Sequence, residues 1–123
     1  MQEQFAEVEA LLLLATEMRM GKAGAPRVVL RVFQEADADY LRLLAGKLVA
    51  EQGVHVLLAE RAGGHVVFAQ SPGLGADMNA LLREGLEAEG GRGGGSKDFA
   101  QGSVPGGSAL EGILNRALQR LRG

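Results

Sequence analysis

The chain has 123 residues and no cysteine, which favours a single small domain and excludes disulfides, thiol nucleophiles and thiolate metal sites. Its net charge of −2 argues against non-specific binding to a long polyanion, although it is compatible with a local basic patch. Since no apolar run approaches the ~20 residues that cross a membrane, and no secretory signal is visible, we expect a cytoplasmic protein without membrane contact.

The first predicted element is an N-terminal helix over residues 3–20. Its apolar side chains recur at helical spacing, as Phe5, Val8, Leu12 and Ala15. Neighbouring leucines widen this stripe beyond the needs of one packing neighbour. The helix therefore covers the domain on one side and something else on the other, or pairs with a second chain; a simple core-packing helix is the remaining alternative. We predict a helical arm over residues 1–25, followed by a globular domain over residues 26–123.

Strands and helices alternate along the rest of the chain. Strands are predicted over residues 27–33, 54–60, 65–71 and 98–104. Helices are predicted over residues 37–52, 75–88 and 108–121. The first strand is expected to be buried on both faces, and the second and third strands to form a hairpin. The predicted fold class is α/β (α+β), a mixed sheet of about four or five strands flanked by helices and preceded by the helical arm.

Residues suited to catalysis are sparse in this chain. His55 and His65 lie near the starts of the two hairpin strands, and no carboxylate pair keeps metal-ligand spacing with them. No serine lies in a Gly-x-Ser-x-Gly elbow. The abundant glycines form neither a P-loop nor a Rossmann motif in the required strand–helix context. We therefore expect no catalytic residue, no metal and no cofactor.

The most unusual segment is the glycine-rich run of residues 90–95, which contains Arg92 and is closely followed by Lys97. Its composition allows a flexible linker, or an ordered loop whose backbone N–H groups and two cations bind an anion. An apolar strand follows the run and a helix lies beyond that strand, so both ends are tied to a packed fold. This arrangement disfavours the linker. Whether such a loop contacts a phosphate or a base is left open by the sequence.

Residues 90–102 read Gly-Gly-Arg-Gly-Gly-Gly-x-x-Asp-Phe-Ala-Gln-Gly, which resembles the signature of the DHH-associated domain family. The most similar version is the C-terminal (C-Ala) domain of alanyl-tRNA synthetases and of related free-standing editing proteins. The similarity extends over about residues 27–121. It implies a non-catalytic tRNA-binding module that helps to position tRNA, in particular alanine tRNA, for aminoacylation and editing. The other domains of the parent protein would be its further partners.

The resemblance also implies which residues contact the tRNA. These candidates are Arg92, Gly93, Gly94, Gly95, Ser96, Lys97 and Gln101. It implies further that the N-terminal helix is the remainder of a helical subdomain that can mediate dimerisation.

The chain departs from the family pattern after its glycines, where many synthetases have Arg-Pro and this chain has Ser96-Lys97. DHH phosphoesterases have a phosphate-holding histidine at the position of Ser96. A substrate-recognition domain of a DHH-type phosphoesterase is therefore the second interpretation. A helix-mediated dimerisation module with a purely structural loop is the third.

Overall fold

A computed structural model describes residues 2–16, 26–105 and 109–122, to which all structural statements below refer. Their elements, in chain order, are α1 (Gln2–Thr16), β1 (Arg27–Phe33), α2 (Ala38–Val49), β2 (Val54–Glu60), β3 (His65–Gln70), α3 (Met78–Ala88), β4 (Arg92–Gly95), β5 (Phe99–Ser103) and α4 (Leu110–Arg122). Within these ranges, no helix combines the length and the apolar character needed to cross a bilayer. The end of the predicted arm and the predicted helix start at Ser108 lie outside the described residues.

The five strands form one mixed sheet in the order β1-β2-β3-β5-β4. β1 and β2 are parallel and are connected through α2, whereas the other three strand pairs are antiparallel. The predicted mixed α+β sheet with a preceding helix is thus confirmed. The expectation that β1 is buried on both faces is confirmed for Val28 and Val29, which belong to the cores on opposite faces of the sheet, whereas Arg31 farther along this edge strand is exposed. β2 is the strand whose residues are all buried.

Helices cover both faces of the sheet and give it two cores. On one face α3 and α4 pack over a cluster that includes Leu57, Phe68 and Leu82. On the other face α1 and α2 pack over a cluster that includes Leu44 and Leu58. Burying one such side chain contributes about 1.5–3 kcal/mol, so these clusters supply much of the stabilisation. α2 packs on β2 and β3, while β4 and β5 contact α3.

α1 packs on α2 through one side of the helix only. The buried residues of this side are Ala6, Ala10 and Leu13. Three residues of the predicted apolar stripe are largely exposed: Phe5 by 68%, Val8 by 57% and Leu12 by 60%. Small alanine side chains let the two helix backbones approach closely, which explains why the larger apolar side chains lie outside. The broad apolar stripe therefore leaves a face of α1 uncovered within the described residues.

The turns and helix starts follow recognisable local chemistry. The predicted hairpin of β2 and β3 is confirmed, and its turn uses Gly64 at a φ of 72°. α3 begins at Met78 rather than near Gly75. Asp77 caps it, since its carboxylate accepts a hydrogen bond from the backbone N–H of Ala80 at 3.1 Å.

Candidate nucleic-acid interface

The glycine-rich segment contains an ordered edge strand where a loop was predicted. β4 pairs antiparallel with β5, and a turn over residues 96–98 joins the two strands. The glycines permit an unusually close approach of the two backbones. A Cβ atom added at Gly93 would lie 2.5 Å from both the carbonyl oxygen of Gln101 and the Cα of Gly102. Since real Cβ atoms do not approach other atoms so closely, Gly93 is required by this strand pairing.

Gly94 lies in a more open environment within β4. A Cβ atom added there would meet only the Oδ1 of Asn79, at 3.4 Å. This Oδ1 is buried and has no hydrogen-bond partner among the described residues. β4 also forms an outer edge of the sheet, so the backbone groups on its outer side point away from β5. The strand therefore presents main-chain donors and acceptors to a ligand, as the predicted loop would have done.

Ser96 and Lys97 hold the turn between β4 and β5. The backbone N–H of Ser96 donates to the carbonyl oxygen of Phe99 at 2.9 Å, and Ser96 Oγ accepts from the N–H of Phe99 at 3.2 Å. Lys97 Nζ donates to the carbonyl oxygen of Leu74 at 2.8 Å, while its own carbonyl accepts from the N–H of Met78. The ammonium of Lys97 thus has a structural partner, which reduces its availability as a ligand contact.

Arg92 is the predicted contact residue with the most available charge. It is exposed, and its guanidinium makes no hydrogen bond or ion pair within the described part of the chain. Arg92 pairs with Ser103, and Ser103 pairs with His65 on β3. Because directly opposite residues in antiparallel strands project to the same face, these three side chains form one row across the sheet. We call these three residues the cross-strand row.

The buried carboxylate of Glu60 orients His65 at one end of this row. It accepts hydrogen bonds from the backbone N–H groups of Gly63 at 2.8 Å, His65 at 3.1 Å and Ala36 at 3.4 Å, and lies 2.7 Å from His65 Nδ1. Burial alone raises the pKa of Glu60, but these bonds outweigh it and hold the pKa below its ordinary value. Since the ionised carboxylate needs a donor, Nδ1 carries a proton. In the neutral ring Nε2 is then an acceptor.

His55 has a different environment from His65. It is buried, and neither ring nitrogen has a hydrogen-bond partner within the described residues. Burial lowers the pKa of His55, and the side chain of Gln70, opposite it on β3, offsets this only in part. No three His, Asp or Glu side chains converge in a geometry that would hold a metal ion, as far as residues 2–16, 26–105 and 109–122 are concerned.

Residues 24–123 match the family described as the DHHA1 domain. The chain belongs to the DHHA1 domain family. This membership confirms the resemblance noted at the glycine-rich segment. No curated protein sequence matches the chain. The domain boundary between residues 25 and 26 stays a prediction.

Solved structures extend the comparison of this DHHA1 domain. The C-Ala domain from Aquifex aeolicus alanyl-tRNA synthetase is 25% identical, with a TM-score of 0.73, and the match covers 86% of this chain and 100% of that chain. RecJ from Thermus thermophilus is similar in its complexes with Mn²⁺ and Mg²⁺, with TM-scores of 0.63 and 0.61 at 15% and 16% identity. These two matches cover 98% of this chain but only 16% and 17% of the RecJ chains, and they show a shared fold alone.

The structure assigns different positions to the predicted contact residues of this DHHA1 domain. Arg92 and Gly93–Gly95 form β4, whereas Ser96 and Lys97 form the turn. Gln101 lies on β5, where its Oε1 accepts from Arg42 Nη1 at 2.7 Å. Sequence reasoning missed the rest of this surface, namely Arg42, His65 and Ser103. No sequence motif marks these three residues, because strand register and the placement of α2 bring them together.

Proposed function

We propose that this DHHA1 domain is a non-catalytic tRNA-binding module, the C-terminal domain of an alanyl-tRNA synthetase or of a related editing protein. The observation that carries this proposal is the similarity to the whole length of the Aquifex aeolicus C-Ala domain. The module would act in the cytoplasm and help to position alanine tRNA for aminoacylation and editing. Catalysis would belong to other domains of the parent protein, since this domain contributes a binding surface.

Arg92 and the edge of β4 are the proposed contact with tRNA. An exposed guanidinium that has no partner among the described residues can donate two parallel hydrogen bonds to a phosphate. Beside it, Gly94 leaves the strand backbone open to close approach by a ligand. Phosphate contacts of this kind position an RNA without reading its sequence. The net charge of −2 fits a local contact that depends on few cations.

Titration of the domain with alanine tRNA at several salt concentrations tests this proposal. We expect measurable binding at low salt, with the logarithm of the association constant falling linearly with the logarithm of salt concentration. Arg92→Gln should lower the salt slope by about one unit, because one phosphate contact is lost. Arg116→Gln on α4 removes the same charge from a helix on the opposite face and should leave the slope unchanged. Absence of binding at low salt would refute the proposal.

The phosphoesterase interpretation receives less support from the site. A phosphoesterase recognition domain would need a group at Ser96 that reaches a substrate phosphate, and Ser96 Oγ instead bonds within its own turn. The RecJ matches are below 25% identity and support the fold only.

Homodimerisation through α1 is a second candidate function, favoured by the uncovered apolar face of that helix. Its exposed apolar residues are Phe5, Val8, Leu11 and Leu12. A second copy of the chain could cover them by pairing the same face with itself. Sedimentation over a range of concentrations should then show a dimer that dissociates in Leu11→Lys but not in Glu87→Lys, which changes an exposed residue of α3 on the other side of the sheet. A strictly monomeric chain would contradict this assembly.

A further inference from the structure

We propose that a groove between α2 and β5 binds a backbone phosphate of the same nucleic acid, beside the contact at Arg92. This inference rests on the proposed tRNA-binding function and extends its interface to α2. The groove has a volume of about 270 Å³. Arg42, His65 and Ser103 lie outside the glycine-rich signature of residues 90–102. The side chains that line the groove include Ala38, Arg42, His65, Gln101 and Ser103.

The groove exists because α2 covers only part of its face of the sheet. α2 packs on β2 and β3, so that face of β5 is left open at Gln101 and Ser103, which are both exposed. Arg42 extends from α2 across this opening, and its Nη1 donates to Gln101 Oε1 at 2.7 Å. This bond orients the Gln101 amide so that its nitrogen is directed away from Arg42. The groove therefore contains a guanidinium that Gln101 already positions as a donor.

Arg42 keeps donors available for a ligand. Its guanidinium has five N–H donors, and the contacts to Gln101 and Asp39 use only some of them. The Asp39 side chain offsets part of the positive charge, but it is 80% exposed, and within the described residues Arg42 is its only side-chain partner. Exposed ion pairs are worth about 0–1 kcal/mol, so a phosphate can replace Asp39 at little cost.

Ser103 connects the groove to the proposed contact at Arg92. It is the middle residue of the cross-strand row, between His65 on β3 and Arg92 on β4. The hydroxyl of Ser103 makes no hydrogen bond within the described part of the chain, so it is available to a ligand. Neighbouring strands lie about 4.8 Å apart, which places the two ends of the row about 10 Å from each other. A sugar-phosphate chain that contacts Arg92 can thus continue over Ser103 into the groove.

His65 supplies the far wall of the groove in a fixed orientation. Glu60 holds Nδ1, as described above, so the ring cannot rotate freely. His65 therefore shapes the groove and offers Nε2 to a ligand group such as a ribose hydroxyl.

The chemistry of the groove favours a phosphate with its attached sugar. The Arg42 guanidinium and the Ser103 hydroxyl supply donors that match phosphate oxygens, and His65 Nε2 supplies an acceptor that matches a sugar hydroxyl. The volume of the groove lies just below the about 300–1,000 Å³ of typical small-molecule pockets, and it is an open groove on the sheet. The small volume and the open shape suit a single nucleotide unit of a nucleic-acid chain that passes through the groove.

Two substitutions test the groove without disturbing the core. Arg42→Gln removes the charge but keeps part of the stem, and Ser103→Asp places a negative charge in the middle of the cross-strand row. Both side chains lie at the surface, and thermal unfolding would verify that the variants are folded. We expect tRNA binding to weaken about three- to tenfold in Arg42→Gln near 0.1 M salt, with a salt slope lower by about one unit. Ser103→Asp should weaken binding at least as much, because it repels the phosphate directly.

Arg31→Gln is the matched control, since Arg31 is an exposed arginine on β1 at the other edge of the sheet. It should leave tRNA binding unchanged. If Arg92→Gln weakens binding while Arg42→Gln and Ser103→Asp do not, the groove proposal is wrong and the tRNA-binding function stands. If the domain binds no tRNA at all, both are wrong.

The source of the phosphate is tested with a free nucleotide. NMR titration with millimolar AMP should leave the groove amides nearly unshifted, because one nucleotide lacks the second contact at Arg92. The proposal would be overturned in favour of a free-nucleotide site if AMP bound saturably in the groove and Arg42→Gln left the affinity for tRNA unchanged.

Discussion

Lys97 Nζ donates a hydrogen bond to the carbonyl oxygen of Leu74 at 2.8 Å, which ties the turn after β4 to the segment before α3. The backbone carbonyl of Lys97 reinforces this link by accepting from the N–H of Met78 at 2.8 Å. Lys97, which was predicted from the sequence to contact the ligand, therefore has a structural role. The two cations of the glycine-rich segment are not equivalent, because Arg92 has no such partner among the described residues.

Lys97→Met distinguishes a structural role of Lys97 from a direct contact with the nucleic acid. It removes the hydrogen bond to Leu74 but keeps the aliphatic stem, so we expect a loss of stability below about 1 kcal/mol for this half-exposed group. The salt slope of tRNA binding should fall less than in Arg92→Gln. Urea unfolding and tRNA titration measure the two effects. An equal fall of the slope in both variants would show that Lys97 contacts the nucleic acid directly.

Gly93→Ala tests the close approach of β4 and β5. The added methyl group would lie 2.5 Å from the backbone of β5, and relieving this overlap should destabilise the domain by about 1–3 kcal/mol. Gly46→Ala is the control, because no atom of the described residues lies within 4 Å of a Cβ at that helical position. It should stabilise the domain by about 0.5–1 kcal/mol. Urea unfolding that gives Gly93→Ala the stability of the unmodified domain would contradict the described strand pairing.

Glu60 should govern part of the acid stability of the domain. The pKa of folded Glu60 lies below its ordinary value of 4.5, so below that pH the unfolded chain binds more protons than the folded one. The contribution of Glu60 is therefore complete above about pH 4.5 and is lost as pH falls through the folded pKa. Glu60→Gln should be less stable at neutral pH and lose less stability on acidification. Unfolding curves that run parallel for the two proteins at acid pH would argue against the ionised carboxylate.

His55 should affect the stability of the domain in a higher pH range than Glu60 does. The cause is the burial of its ring and not a hydrogen bond. Its folded pKa is lower than the ordinary value of 6.5, because burial disfavours the charged ring. Protons bind more to the unfolded chain below pH 6.5, so stability decreases as pH falls from there towards the folded pKa. His55→Leu removes this dependence and breaks no hydrogen bond of the ring, since neither nitrogen has a partner within the described residues. Urea unfolding between about pH 5 and 7.5 should show a flatter profile for the variant. An unchanged profile would contradict the lowered pKa of His55 in the folded domain.

Much of the fold follows from local sequence signals. The β2–β3 hairpin was predictable because apolar residues flank a turn with Gly63 and Gly64, and the second glycine adopts the positive φ that the turn requires. The apolar periods of α2 and α4 likewise mark faces that the structure buries. These signals are local, so they need no knowledge of the tertiary arrangement.

The features that the sequence did not predict are those that only tertiary packing determines. In α1 the apolar stripe did not show which side packs on the domain; Ala6 and Ala10 pack on α2, whereas larger residues such as Phe5 are exposed. β4 has no side-chain alternation from which a strand could be recognised, because it consists almost entirely of glycine. The cross-strand row depends on register, which joins Arg92 to a histidine that lies far from it in the sequence.

The central claim is that the β4–β5 hairpin of this DHHA1 domain binds tRNA, and NMR titration of the ¹⁵N-labelled domain with alanine tRNA tests it most directly. We expect the largest shift changes at the amides of Arg92–Gly95 and Ser103, with little change at the exposed arginines Arg116 and Arg120 of α4. Changes confined to α4, or no changes at low salt, would contradict the claim.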